Sequence, residues 1–125
     1  MIPRSSVLIV DSSTEDRQVL RTALERRGVR VFEAARADAG LALTRRHRPE
    51  VVVLDLELTT GGEAAGPNDF AAWANDYDAS LILIGTACRQ AAATAGEFIA
   101  KPYHYQPLVL KIEKLLKLRR SVETV

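Results

Sequence analysis

The chain has 125 residues, 47% of them apolar and 26% charged. That is the make-up of one globular domain, since compact domains cluster at roughly 100–150 residues and disorder requires low hydrophobicity with high net charge. Seventeen Lys and Arg against sixteen Asp and Glu leave a formal charge of +1, which excludes binding to nucleic acid or an anionic membrane through the overall field. One cysteine, Cys88, excludes an intramolecular disulfide, and with only His47 and His104 beside it no zinc-ligand spacing is present. The first apolar stretch, Val7 to Val10, stops at Asp11 and is too short for a signal-peptide core or a membrane span. A cytoplasmic protein is expected.

In chain order, Val7-Leu8-Ile9-Val10 reads as a first strand. Ser13, with Asp16 three residues on, reads as a helix cap, and Val19, Leu20, Ala23 and Leu24 form one apolar face before Gly28 ends the helix. Val29-Arg30-Val31-Phe32 is a second strand whose alternation suits a sheet edge. Residues 37–48 predict a helix with Ala39, Leu41, Ala42 and Leu43 apolar, closing in Arg45-Arg46-His47-Arg48 before Pro49. That basic end, and the basic face of the last helix, read as solvated surface rather than a nucleic-acid site, because acids balance them and no aromatic residues interleave.

Val51-Val52-Val53-Leu54 is the third strand, and a Gly-rich loop follows Asp55. The spacing of Gly61 and Gly66 is that of a phosphate loop, but Pro67 and Asn68 stand where Lys and Ser or Thr are needed. A reduced helix is predicted over Asn68 to Asp76, capped by Asn68. Leu81-Ile82-Leu83-Ile84 is the fourth strand and Glu97-Phe98-Ile99-Ala100 the fifth. Only ten residues separate Thr86 from Glu97, so a helix there has one or two turns. The last helix begins near Pro107, with Leu108, Ile112, Leu115 and Leu116 on one side and Lys111, Lys114 and Lys117 largely on the other. Strands apolar on both faces belong in a parallel sheet covered by helices, so the expected fold is α/β: five βα units with right-handed crossovers.

In such a sheet, ligands bind beyond the carboxyl ends of the strands. The strands end in Asp11, Asp55, Thr86 and Lys101, the last followed by Pro102. Two carboxylates suit a hard cation such as Mg2+, and a hydroxyl with an ammonium suits the oxygens of a transferred phosphoryl group.

With these residues in place the sequence resembles the receiver domains of two-component response regulators over nearly its whole length. The matching segments are Val7 to Asp11, Pro49 to Asp55, Leu83 to Ala87, and Phe98 to Tyr103. The resemblance implies a flavodoxin-like (βα)5 three-layer sandwich, a parallel sheet of order 2-1-3-4-5 and shortened third and fourth helices. Residues 1–125 would be a single receiver domain, with 119–125 a tail or the start of a linker. It implies that Asp55 is phosphorylated by a histidine kinase or phosphotransfer protein, and that Asp11, Asp55 and the backbone carbonyl of Glu57 hold Mg2+. Thr86 and Lys101 would bind the acyl phosphate, a cis Lys101–Pro102 bond would aim the lysine, and Thr86 and Phe98 would move in switching. The surface of the fourth strand, fifth strand and last helix, flanked by Tyr103, His104 and Tyr105, would meet an unknown downstream protein, the chain being a monomer or weak dimer. Such a domain is not an enzyme beyond self-catalysed phosphorylation and dephosphorylation.

The order of parts is also similar to a receiver subgroup with a short fourth helix, called FAT GUY, although Ile84-Gly85-Thr86-Ala87-Cys88-Arg89 departs from its signature. Receivers carry two adjacent acids after the first strand, whereas Asp11 is followed by Ser12 and Ser13. Weaker Mg2+ binding is therefore expected unless Glu15 or Glu57 supplies the missing acid. The alternative function is a phosphorylation-independent pseudo-receiver acting by protein contact. A haloacid dehalogenase-type phosphotransferase needs an aspartate two positions after the nucleophile, where Glu57 stands. Cys88, two residues past Thr86, is expected to be a silent thiol.

Overall fold

A computed structural model of the chain describes residues 5–59, 66–86 and 96–123. Cys88, Gly61, Gly62 and Glu63 of the loop after Asp55, and the short helix expected between Thr86 and Glu97 lie outside the described residues. The elements run β1 (Ser6–Val10), α1 (Thr14–Glu25), β2 (Arg30–Ala34), α2 (Ala37–His47), β3 (Val51–Asp55), a 3-10 turn (Leu56–Thr59), α3 (Pro67–Asp76), β4 (Ser80–Gly85), β5 (Glu97–Ala100) and α4 (Tyr105–Glu123). The strands form one sheet of order β2-β1-β3-β4-β5, and every pairing is parallel. This is the flavodoxin-like architecture, with β2 at an edge as its alternating sequence predicts.

Successive strand residues point to opposite sheet faces, and the core divides accordingly. Val7, Ile9, Val51, Val53, Ile82 and Ile84 pack with Leu20 and Leu24 of α1 and Leu108, Val109, Ile112 and Leu116 of α4. Leu8, Val10, Val52, Leu54, Leu81 and Leu83 pack with Ala37 and Leu41 of α2 and Phe70, Trp73 and Ala74 of α3. Asp11, Asp55, Thr86 and Lys101 share the odd or even phase of the first set in their own strands. One periodicity therefore builds the core and sends four polar groups to the α1/α4 side of the sheet edge.

Local chemistry sets the helix ends. Ser13 Oγ accepts the Asp16 N–H at 3.2 Å, and Gly28 follows α1 with a φ of +78° that a side chain would strain. α3 starts at Pro67 rather than Asn68. Gly66 is its cap residue, and the Gly66 N–H donates to the Asp69 carboxylate at 2.8 Å, while Pro67 occupies a first-turn position where no N–H is required. α4 likewise starts two residues before Pro107. Pro107 thus sits in the first turn, where its missing N–H costs nothing.

Two predicted faces rotate. Val19 is 44% exposed, because the buried stripe of α1 runs through Leu20 and Leu24. In α2 the buried stripe is Ala37, Gly40, Leu41 and Thr44, leaving Ala39 and Ala42 exposed. The helix turns this way because Gly40 lets its backbone close on β1: a methyl group at Gly40 would lie 2.7 Å from Val10 Cγ2. His47, within the basic run, stacks on Phe32 at 4.2 Å, whereas Arg45, Arg46 and Arg48 are exposed.

Candidate functional site at the carboxyl edge of the sheet

The ends of β1, β3, β4 and β5 bring Asp11, Asp55, Thr86 and Lys101 to one edge. The Asp11 N–H donates to Ala34 O at 3.0 Å and the Lys101 N–H to Gly85 O at 2.9 Å, so the ladders hold both residues just past their strands. Asp11 is 4% exposed and Asp55 3%. Lys101 Nζ donates to Asp55 Oδ1 and Oδ2, both at 3.0 Å, and to Glu57 Oε2 at 3.2 Å. Asp55 Oδ1 also accepts the Glu57 N–H at 3.0 Å. The Lys101–Pro102 peptide is cis, as expected.

Asp11 is fixed from α1: its Oδ1 accepts the Ser13 N–H at 2.8 Å, and Arg17 donates to its carbonyl oxygen. Arg17 is itself paired with Glu33 at 3.2 Å. Among the described residues no protein donor reaches Asp11 Oδ2. Burial raises the Asp11 pKa; the Ser13 N–H opposes this, and the charges of Asp55 and Asp16 add to it. Burial would lower the Lys101 ammonium, but its bonds to Asp55 and Glu57 outweigh that and raise it. The Lys101 bond and charge hold the Glu57 carboxyl below its usual range, helped by hydrogen bonding from Thr86. Burial first, then the charges of Asp16, Asp11 and Asp55, push the Tyr103 phenol up to about 12.

Because the folded-state pKa of Asp11 is raised, its ionised form is disfavoured on folding, so the group costs stability at neutral pH. Asp11→Asn, which keeps the acceptor for Ser13, is expected to raise the melting midpoint at pH 7. The gain should shrink as the pH falls through the folded-state pKa and vanish below the unfolded value of about 3.9. Calorimetry from neutral to acid pH checks both parts, and a midpoint lowered at pH 7 would contradict them.

Beside the acids lies a cleft of about 520 Å3 lined by Asp16, Val19, Leu20, Thr86, Lys101, Pro102, Tyr103 and Tyr105. Tyr103 packs on the α1/α4 core, and Tyr105 is exposed. Phe98 is on the other face, half-buried against the α2/α3 core. It neighbours Gly85, the residue before Thr86, where an added methyl would lie 3.7 Å from Phe98 Cε2. Asp16, which sequence reasoning named only as a capping residue, lines the cleft and adds its charge to that of Asp55 at Asp11. Glu15 turns instead to a groove with Gln18, Val19, Thr22, Ala23, Arg26 and Tyr105, and Glu57 turns to Lys101. Arg17 was also missed, since only the docking of α1 beside β2 gives it Glu33.

The family model for the response regulator receiver domain matches residues 7–113. The chain is similar to the KDP operon transcriptional regulatory protein KdpE of Escherichia coli K12, with 31% identity over 126 residues, covering 96% of this chain and 54% of that protein. It is also similar to the probable transcriptional regulatory protein TcrX of Mycobacterium tuberculosis, with 30% identity over 127 residues, covering 96% of this chain and 53% of that protein. The chain thus spans about half the length of these curated relatives. A CheY-like response regulator receiver domain protein from Methanospirillum hungatei shares the fold, with a TM-score of 0.79 at 22% identity, covering 95% of this chain and 98% of that one. Sequence, sheet order and the strand-end residues agree: the chain belongs to the response regulator receiver domain family of two-component signalling systems.

Proposed function

We propose that Asp55 accepts a phosphoryl group from a phosphohistidine on a histidine kinase or phosphotransfer protein. The observation that carries this reading is the pairing of Lys101 Nζ with both Asp55 oxygens at 3.0 Å. That pairing sets an ammonium against both oxygens of a buried carboxylate, beside the cleft that Thr86 and Lys101 line. An Asp55 oxygen forms the new O–P bond as the P–N bond to the donor imidazole breaks, and the bonding pair returns to the imidazole nitrogen. Lys101 and Thr86 then neutralise and bond the terminal phosphoryl oxygens. The modification adds about 1.5–2 negative charges, which draws Thr86 inward. Phe98, beside Gly85, follows it and alters the surface of β4, β5 and α4 that meets a downstream protein.

The residues present fit a hard divalent cation in part. Asp11 and Asp55 are buried, mutually repelling carboxylates, and Asp11 Oδ2 has no protein donor among the described residues. Those residues hold no cluster of three or more His, Cys, Asp or Glu side chains suited to a metal. Asp11, Asp55 and the Glu57 carbonyl would hold Mg2+, which when bound offsets charge on the phosphoryl oxygens. Ser12 in place of an acid makes that binding weak. The domain acts as a cytoplasmic signalling module, monomeric or weakly dimeric, with no turnover beyond its own phosphorylation and dephosphorylation. No described helix is long and apolar enough to cross a membrane.

Beryllofluoride, a stable phosphoryl mimic, tests the site without a kinase. With Mg2+ present it should bind one site per chain and shift the amide resonances of Thr86, Phe98 and Lys101, and it should leave Asp55→Asn unchanged. No binding at millimolar beryllofluoride would leave the phosphorylation-independent pseudo-receiver as the better reading.

A further inference from the structure

We infer that the Glu57 carboxylate is a built-in competitor for the phosphoryl seat: it engages Lys101 and Thr86 in the unmodified protein and must be displaced when Asp55 is phosphorylated. This deepens the phosphoacceptor reading and rests on it. The 3-10 turn Leu56–Thr59 starts directly after β3 and folds Glu57 back over the site, where its N–H donates to Asp55 Oδ1. Its side chain reaches Lys101 Nζ at 3.2 Å, and Thr86 bonds it as well.

A lysine ammonium has three N–H donors. They are shared among three carboxylate oxygens, the two of Asp55 at 3.0 Å and Glu57 Oε2 at 3.2 Å. A phosphoryl oxygen therefore competes for Lys101 with the carboxylate oxygens already on it. One Asp55 oxygen is taken into the O–P bond, and of the two carboxylates Glu57 is the one that can swing away. Its side chain is 49% exposed, against 4% for Asp55, so water can receive it at small cost. Once a phosphoryl group arrives, Glu57 and that group are like charges on one ammonium, which favours its departure. The carboxylate is engaged by Lys101 and by Thr86.

Glu57→Gln and Glu57→Ala remove the competing charge while leaving the backbone N–H to Asp55. Beryllofluoride affinity is measured by calorimetry at saturating Mg2+, and Lys101 acylation by an amine-reactive ester is followed by peptide mass spectrometry. Both variants should bind beryllofluoride roughly 1.5- to fivefold more tightly and acylate faster at Lys101. Binding by the variants alone, with none by the wild type, would be the strongest form of the same result. Equal or weaker beryllofluoride binding in both variants would overturn the inference and leave the phosphoacceptor reading standing. Absence of binding in wild type and variants alike would overturn both.

Discussion

Phe70→Ala is expected to cost about 3–5 kcal/mol of folding stability. Phe70 is fully buried and heads the largest buried side chains. It projects from α3 into the core of Leu8, Val10, Leu54, Trp73 and Leu83, near the place where Gly40 brings α2 onto β1. Truncation leaves a cavity between two helices and a sheet whose residues are themselves fully buried, so little can collapse into it. A domain of this size has about 5–15 kcal/mol in total, which makes the loss a large share. Urea unfolding followed by far-UV circular dichroism measures it. A cost below about 1 kcal/mol would contradict the packing described.

Lys101→Ala is expected to slow phosphorylation of Asp55 by acetyl phosphate about 10²–10³-fold, the usual loss when one preorganised charge is removed from a reacting oxyanion. On the proposed reading the lysine holds the nucleophile before transfer and the phosphoryl oxygens after it, and no other cation among the described residues pairs with Asp55. Arg17, the cation bonded to the Asp11 carbonyl, is committed to Glu33. A circular dichroism melt separates a chemical from a structural effect. A rate within about threefold of wild type, in a folded variant, would remove Lys101 from the chemistry.

Much of this was legible in the sequence because the signal is repetitive. β1, β3 and β4 are apolar at every inner position since both faces are covered, and the polar residue ending each run marks the sheet edge. The four residues at those ends are the ones the fold brings together. What was not legible depends on helix rotation and loop direction. The apolar stripe of α1 omits Val19, and α2 presents Gly40 and Thr44 rather than Ala39 and Ala42, because the core contact is set by how closely the Gly40 backbone meets Val10. Spacing also left open whether Glu15 or Glu57 replaces the acid missing at Ser12. The docking of α1 places Asp16 on the cleft, where its charge acts on Asp11, and the 3-10 turn aims Glu57 at Lys101. Neither direction is carried by residue type.

The most direct measurement is intact and peptide mass spectrometry of the protein incubated with Mg2+ and acetyl phosphate, with borohydride trapping of the acyl phosphate. One phosphoryl group per chain, mapped to Asp55 and lost in Asp55→Asn, is the expected result. An unmodified chain at millimolar donor, or a label on any other residue, would contradict the account.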